Sequence, residues 1–176
     1  KKRLSKRHGA TSVMEYERQG YFSSAMVNFL ALLGWAPGDD RELLSKAELI
    51  EAFSLDGISG GNAVFNTEKL DWMNGQYIGR MAVDELAGVL RPRFLEAGLA
   101  ASWLVADAVA FGRLLELLRP RAKRLADFIE QARPLLMEEV EYSPDAVEKF
   151  LSSPQLAPQV LALREALAAI QPFDEA

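Results

Sequence analysis

The sequence of 176 residues contains no cysteine and only one histidine, His8. The absence of cysteine excludes disulfide bridges and thiolate metal sites, and it fits a protein kept in a reducing compartment. A single histidine does not supply a conventional zinc site, so we expect no metal centre. No apolar run approaches the roughly 20 residues that a membrane-spanning helix requires, and no signal-peptide segment follows the basic start. These absences predict a soluble, cytoplasmic protein.

Positive charge is concentrated at the beginning of an otherwise acidic chain. The formal net charge is -5, although Lys1, Lys2, Arg3, Lys6 and Arg7 contribute five positive charges within the first seven residues, which leaves -10 for the rest. An acidic fold repels a phosphate backbone, so we interpret the basic opening as a segment with a local role of its own. The sequence starts with lysine and not with methionine, and we therefore expect it to be a piece of a longer protein.

Apolar residues recur with helical spacing along most of the chain, and no pair of alternating strands is visible. The pattern changes near residues 78–83, where a loop-rich stretch of short helices gives way to successive amphipathic helices. We therefore predict an all-α fold, with a small helical region over residues 1–80 and a helical bundle over residues 81–176.

Capping residues and prolines predict the helix boundaries, and apolar positions predict the core of the first region. Helices are expected to begin at Ser23 or Ser24, at Ser45 in a capping box with Glu48, at Asn66 or Thr67, at Pro92 and at Pro120. Helix ends are expected at Gly20, Gly34 and Asn74-Gly75. The expected core residues are Phe29, Leu30, Leu33, Phe53, Phe65 and Leu70.

The basic opening reads RLSKRHGA from Arg3 onward. It resembles the second signature motif of class I aminoacyl-tRNA synthetases, KMSKS, with Lys6 at the position of the second lysine. The elements NFLALLGW, EAFSL and VFNTEKLDWMN follow, and LLRPRAKRLADF lies further along the chain. They occur in the order found in bacterial-type glutamyl-tRNA synthetases, and the chain is similar to that family over its first 80 residues and more loosely beyond them.

The resemblance implies a parent enzyme that activates glutamate with ATP and Mg²⁺ and transfers it to tRNA(Glu). Residues 1–80 then correspond to the motif loop and the region that contacts the tRNA stem, and residues 81–176 to the first anticodon-binding bundle. The family's Rossmann-type nucleotide-binding domain and its second anticodon-binding bundle have no counterpart in this sequence. We therefore expect the chain alone to be catalytically inactive and to bind tRNA weakly.

Lys6 is the residue expected to act on ATP. Activation of a carboxylate by ATP concentrates negative charge on the departing pyrophosphate, and a mobile loop can bring an ammonium group to that charge as it develops. His8 has no carboxylate or nucleophile partner in the sequence, so we expect it to form hydrogen bonds within the loop and not to act as a base. The other residues of the predicted ATP loop are Arg3, Leu4, Ser5 and Arg7.

The stretch RPRAKR brings Arg119, Arg121, Lys123 and Arg124 together at an expected helix start. A planar guanidinium can hydrogen-bond a base edge in a splayed single-stranded loop, which lysine does less well. By resemblance, Arg121 matches the arginine that reads the third anticodon base, which is cytosine for glutamate, and so excludes tRNA(Gln). The alternative is that these cations only solvate a helix start.

Lys69 and Trp72 are further candidates for contact with tRNA. They lie three residues apart on one predicted helix and therefore share a face, where the lysine can reach a phosphate while the indole packs against a ribose. The alternatives are a tryptophan buried in the core and a lysine that is merely solvated.

Two other classes of function remain open from the residues alone. The chain could be a stand-alone helical RNA-binding module without ligase activity. It could also be a helical scaffold with no RNA partner, in which the opening lysines form a solvated tail and the arginines face water.

Overall fold

The computed structural model describes residues 12–61, 63–99, 103–137 and 142–170. Within these ranges the chain is helical and contains no strand, although Trp35 and Ile58 form an isolated antiparallel bridge. The helices are α1 (Val13–Gln19), α2 (Ser23–Ala31), α3 (Lys46–Ala52), α4 (Thr67–Arg80), α5 (Val83–Glu96), α6 (Trp103–Ala106), α7 (Ala108–Leu118), α8 (Leu125–Leu136), α9 (Pro144–Ala146) and α10 (Leu156–Ala168). The all-α prediction is confirmed.

The chain divides into two compact units, Lys1–Met137 and Glu138–Ala176. Helices α1 to α8 belong to the first unit, and α9 and α10 belong to the second. The predicted division at residue 80 lies within the first unit and stays a prediction.

The largest apolar cluster of the first unit packs α5, α7 and α8 together. Leu86, Leu90 and Phe94 recur every four residues of α5, which places them on one face of that helix, and all three are fully buried. Phe94 meets Phe111 of α7 edge to face, with ring centroids 5.1 Å apart. Phe128 of α8 completes this layer. The bundle is therefore held by apolar side chains at helical spacing.

A smaller cluster lies between α2 and α4 and contains Tyr21, Met26, Phe29, Leu70 and Met73. The segment after α2 packs separately around Trp35, Leu44 and Leu49.

The predicted core of this region is partly wrong. Phe29 and Leu70 are buried as predicted, but Leu30 is 47% exposed and Phe53 is 57% exposed. Leu30 follows Phe29 directly on α2, so it points about 100° away from the buried face. Phe53 comes directly after the last residue of α3, where the chain leaves the helix.

Three predicted helix boundaries are confirmed. Gly20 follows α1 with φ +90°, the left-handed conformation that favours glycine. Before α3, the Ser45 hydroxyl accepts from the Glu48 N–H at 3.3 Å and the Glu48 carboxylate accepts from the Ser45 N–H at 2.8 Å. Asn66 caps α4 by accepting from the backbone N–H of Lys69 at 3.2 Å.

Two predicted boundaries of α2 are wrong. The residue before α2 is Phe22, and no side chain caps that helix, so neither Ser23 nor Ser24 is its N-cap. The same helix ends at Ala31, before the expected stop at Gly34.

Two further predictions fail inside long helices. Asn74 and Gly75 lie within α4, where the Asn74 side chain forms tertiary hydrogen bonds and does not end the helix. Pro92 lies inside α5 and does not begin a helix. The fully buried side chains on both sides of Pro92 hold α5 together across the N–H that proline lacks.

The second unit is short and mostly exposed. The Ser143 hydroxyl accepts from the Ala146 N–H at 3.2 Å and caps α9, which continues as a π-helical turn over Val147–Leu151. No side chain among residues 142–170 is fully buried.

Across the described ranges, no helix is long and apolar enough to cross a membrane. The same ranges contain no group of three or more histidine, cysteine or acidic side chains placed to hold a metal ion.

Candidate nucleic-acid interface

Residues 119–124, called the basic segment below, connect α7 to α8. Arg119–Arg121 form a single 3₁₀ turn, and Pro120 lies in that turn. The Asp127 carboxylate accepts from the backbone N–H groups of Lys123 at 2.8 Å and of Arg124 at 2.9 Å. The expectation that Pro120 begins a helix is therefore wrong, because the bonds to Asp127 cap a helix that starts only at Leu125.

The four cations of the basic segment have different surroundings. Arg121 and Lys123 are exposed, and neither side chain has a hydrogen-bond or ion-pair partner among the described residues. The side chain of Arg119 is 17% exposed and lies 3.6 Å from the Glu116 carboxylate. Arg124 donates to Asp127 at 3.0 Å. Two of the predicted contact residues therefore face outward, while the other two are engaged within the protein.

Arg124 lies near the hydrogen-bonded pair of Tyr21 and Asp71, which influences its charge. The Tyr21 hydroxyl donates to the Asp71 carboxylate, and burial together with this hydrogen bond raises the pKa of Tyr21. For Arg124, burial is the largest single effect and opposes the charged form, but Asp127, Tyr21 and Asp71 together outweigh it, so the pKa of Arg124 is raised. Arg124 is thus a fully charged residue with an internal partner.

The end of α1 meets the start of α8 at very close range. The Leu125 N–H donates to the Gly20 carbonyl at 3.2 Å. A Cβ atom added to Gly20 would lie 2.6 Å from both the Cβ and the backbone nitrogen of Leu125. Only glycine allows this approach, so the end of α1 and the start of α8 share a fixed contact.

Lys69 and Trp72 lie on α4 and are both partly accessible. The ammonium group of Lys69 pairs with the Glu42 carboxylate. Trp72 is 40% exposed and borders a shallow depression of about 430 Å³ together with Arg80. Trp72 is therefore a surface residue and not a core residue, whereas its contact with RNA stays a prediction.

The structure does not bring Trp72 together with the basic segment. Asn74 donates to the Lys123 carbonyl at 2.6 Å, so the basic segment lies on the Asn74 side of α4. Trp72 is two residues earlier, about 200° around the same helix, and therefore faces away. The predicted tRNA contacts form two separate surfaces.

Sequence reasoning missed the role of Arg93. This residue of α5 donates to the carbonyls of Glu17 at 3.0 Å and Arg18 at 3.1 Å, at the end of α1. A cation at a helix C-terminus satisfies unpaired carbonyls and complements the helix dipole. No local sequence pattern predicts this contact, because it joins residues about 75 positions apart.

The predicted ATP loop, Arg3 to Arg7, lies outside the described residues, and so does His8.

Two family models match the chain. Residues 1–72 match the catalytic domain of class I tRNA synthetases (E and Q), and residues 85–176 match an anticodon binding domain.

Similar proteins and structures agree with these matches. Glutamate-tRNA ligase 2 of Koribacter versatilis is 42% identical over 176 residues, which is 99% of this chain and 36% of that protein. The glutamate-tRNA ligase of Thermodesulfovibrio yellowstonii is 38% identical over 98% of this chain and 37% of its own length. The crystal structure of a glutamate tRNA ligase from Elizabethkingia meningosepticum, in complex with its amino acid, aligns with a TM-score of 0.73 and 26% identity, over 97% of this chain and 36% of that one.

The two matched models correspond to part of the catalytic domain of class I tRNA synthetases and to an anticodon binding domain. This chain spans about a third of the length of the curated relatives that it matches. It belongs to the anticodon binding domain family, and within that family its relatives are glutamate-tRNA ligases.

Proposed function

We propose that this chain is the tRNA-binding part of a glutamate-tRNA ligase, which activates glutamate with ATP and Mg²⁺ and transfers it to tRNA(Glu). The observation that carries the proposal is the exposure of Arg121 and Lys123, without partners among the described residues, in the region that matches an anticodon binding domain. Such an enzyme acts in translation, so we expect it in the cytoplasm.

The chemistry of Arg121 suits a cytosine at the third anticodon position. The Watson–Crick edge of cytosine presents the acceptors O2 and N3, and a planar guanidinium can donate to both at once. Guanine presents the N1–H and N2–H donors at the same edge, which repel the donors of arginine. Arg121 therefore accepts tRNA(Glu) and rejects tRNA(Gln), while Lys123 supplies a phosphate contact that is indifferent to sequence.

The test compares the binding of a tRNA(Glu) transcript with that of the same transcript carrying guanine at the third anticodon position. We expect the unaltered chain to prefer cytosine, and Arg121→Gln to reduce that preference by roughly tenfold or more. Arg113→Gln is the matched control, because Arg113 is an exposed arginine of α7 without a partner among the described residues. An unchanged preference in Arg121→Gln overturns the proposed reading of the anticodon.

The role of the opening loop is tested in the ligase that contains this chain. Lys6→Ala should slow glutamate-dependent exchange between pyrophosphate and ATP, because the ammonium no longer meets the charge of the leaving group. The binding of tRNA(Glu) should be unchanged. Lys46→Ala, at an exposed lysine of α3, serves as the control. Unaltered exchange in Lys6→Ala removes the proposed role of that lysine.

The same measurements separate the alternatives. A stand-alone RNA-binding module prefers tRNA(Glu) but gives no exchange reaction in its natural full-length form. A helical scaffold shows neither property.

A further inference from the structure

Asn74 connects three segments of the first unit through one buried side chain. Its exposed fraction is 0%. The amide nitrogen donates to the Lys123 carbonyl at 2.6 Å and to the Gly20 carbonyl at 3.3 Å, and the amide oxygen accepts from the Phe22 N–H at 2.9 Å. One side chain therefore satisfies backbone groups after α1, before α2 and inside the basic segment.

No other amino acid satisfies this combination of partners. An amide offers two donors and one acceptor oxygen within a short, rigid group, and all three requirements are met here. Aspartate is nearly isosteric but has no donor, so it would place a carboxylate oxygen against two carbonyls. Removal of the amide leaves buried backbone groups unpaired, which is more costly than the loss of an exposed hydrogen bond.

The hydrogen bond from Asn74 fixes the carbonyl of Lys123, which lies two residues after Arg121 in the basic segment. On the other side of that bond, the Asp127 carboxylate holds the N–H groups of Lys123 and Arg124, and Leu125 donates to Gly20. Gly75, next to Asn74, also lies beside the segment, since a Cβ added there would be 3.6 Å from the Ala122 carbonyl oxygen, an ordinary van der Waals distance. The backbone that carries Arg121 is thus fixed from α4.

We infer that Asn74 is a positioning residue for anticodon recognition, which it serves by holding the backbone of the basic segment so that Arg121 meets the third base in one orientation. The inference rests on the proposed function and adds to it a buried residue that touches no RNA. Base discrimination depends on the direction of the guanidinium donors, whereas a phosphate contact tolerates rotation. Loosening the segment should therefore reduce base preference more than overall affinity.

The test uses Asn74→Ala with Asn28→Ala as the matched control. Asn28 is also fully buried in the first unit, and its amide oxygen accepts from the Leu44 N–H at 3.0 Å, but none of its hydrogen bonds reaches the basic segment. Both variants lose buried hydrogen bonds, so a general loss of stability affects them alike. The readouts are the preference for cytosine over guanine at the third anticodon position and the hydrogen exchange of the Leu125 amide.

We expect Asn74→Ala to lower the preference by about tenfold and to accelerate exchange at Leu125, while Asn28→Ala changes neither. In a chain that already carries Arg121→Gln, Asn74→Ala should produce no further loss of preference, because the two residues act as one unit. Asn74→Asp is the second variant and should behave like Asn74→Ala.

Two results overturn the inference and leave the proposed function standing. The first is an equal preference for cytosine over guanine in Asn74→Ala and Asn28→Ala, and the second is a double variant in which the losses of preference from Asn74→Ala and Arg121→Gln add. The inference also fails if neither Asn74 variant folds while Asn28→Ala does, since Asn74 is then needed for the fold itself. If Arg121→Gln leaves the preference unchanged, the proposed function fails and the inference falls with it.

Discussion

Replacement of Gly20 by alanine tests the close approach between α1 and α8. Gly20 has φ +90°, and its added Cβ would lie 2.6 Å from two atoms of Leu125. A left-handed conformation costs a residue with a side chain about 1–2 kcal/mol, and overpacking adds about 1–3 kcal/mol. The reduced freedom of the unfolded chain returns about 0.4–1 kcal/mol. The free energy of unfolding should therefore fall by about 2–4 kcal/mol.

Gly38 provides the control for this substitution. It has φ +84°, but a Cβ added there meets no atom within 4 Å. Gly38→Ala should therefore cost only the backbone strain, about 1 kcal/mol after the gain from the unfolded state. Urea denaturation followed by circular dichroism measures both variants. If Gly20→Ala proves no more destabilising than Gly38→Ala, the close contact with Leu125 does not exist in solution.

Three further substitutions test side-chain contacts within the first unit. Ser45→Ala should lower the free energy of unfolding by about 1 kcal/mol in the same denaturation assay, because the capping box of α3 is lost. Ser23→Ala should be nearly neutral, because Ser23 caps no helix, and equal effects of the two substitutions would contradict this assignment. Arg93→Ala should accelerate hydrogen exchange at the end of α1, since two carbonyls lose their donor, and exchange like that of Arg113→Ala would refute the role of Arg93. In the folded chain, burial and Asp71 raise the pKa of Tyr21, so its contribution to stability is complete below about pH 10 and is lost as the pH rises further. Between about pH 9 and 11, the free energy of unfolding of Tyr21→Phe should therefore fall less than that of the unaltered chain. The same pH dependence in both proteins would exclude this linkage.

Local patterns in the sequence predict the helical class and several helix ends. The capping box at Ser45 and the glycine at position 20 are local signals, because the residues that satisfy the backbone lie within one turn. The face of α5 that carries Leu86, Leu90 and Phe94 is likewise visible as a four-residue repeat.

Local patterns fail where a distant partner decides the outcome. The Asn74-Gly75 pair has the composition of a helix end, but the partners of the Asn74 amide include Lys123, which lies 49 residues away. Pro92 has the composition of a helix start, yet a buried face carries α5 through it. In both cases tertiary contacts outweigh a preference worth about 1–3 kcal/mol.

The sequence proposes the candidate residues but does not predict their surroundings. The sequence draws attention to four cations in the basic segment, but only the structure shows that Arg119 and Arg124 have internal partners while Arg121 and Lys123 have none among the described residues. The contacts from Arg93 and Asn74 join distant parts of the chain, and no spacing rule reveals them.

A footprint of the chain on tRNA(Glu) tests most directly whether the basic segment reads the anticodon. We expect the chain to protect the anticodon loop from nuclease, and we expect Arg121→Gln to remove protection at the third anticodon base while Arg113→Gln retains it. An unprotected anticodon loop, or equal protection by the two variants, would contradict the claim that the basic segment reads the anticodon.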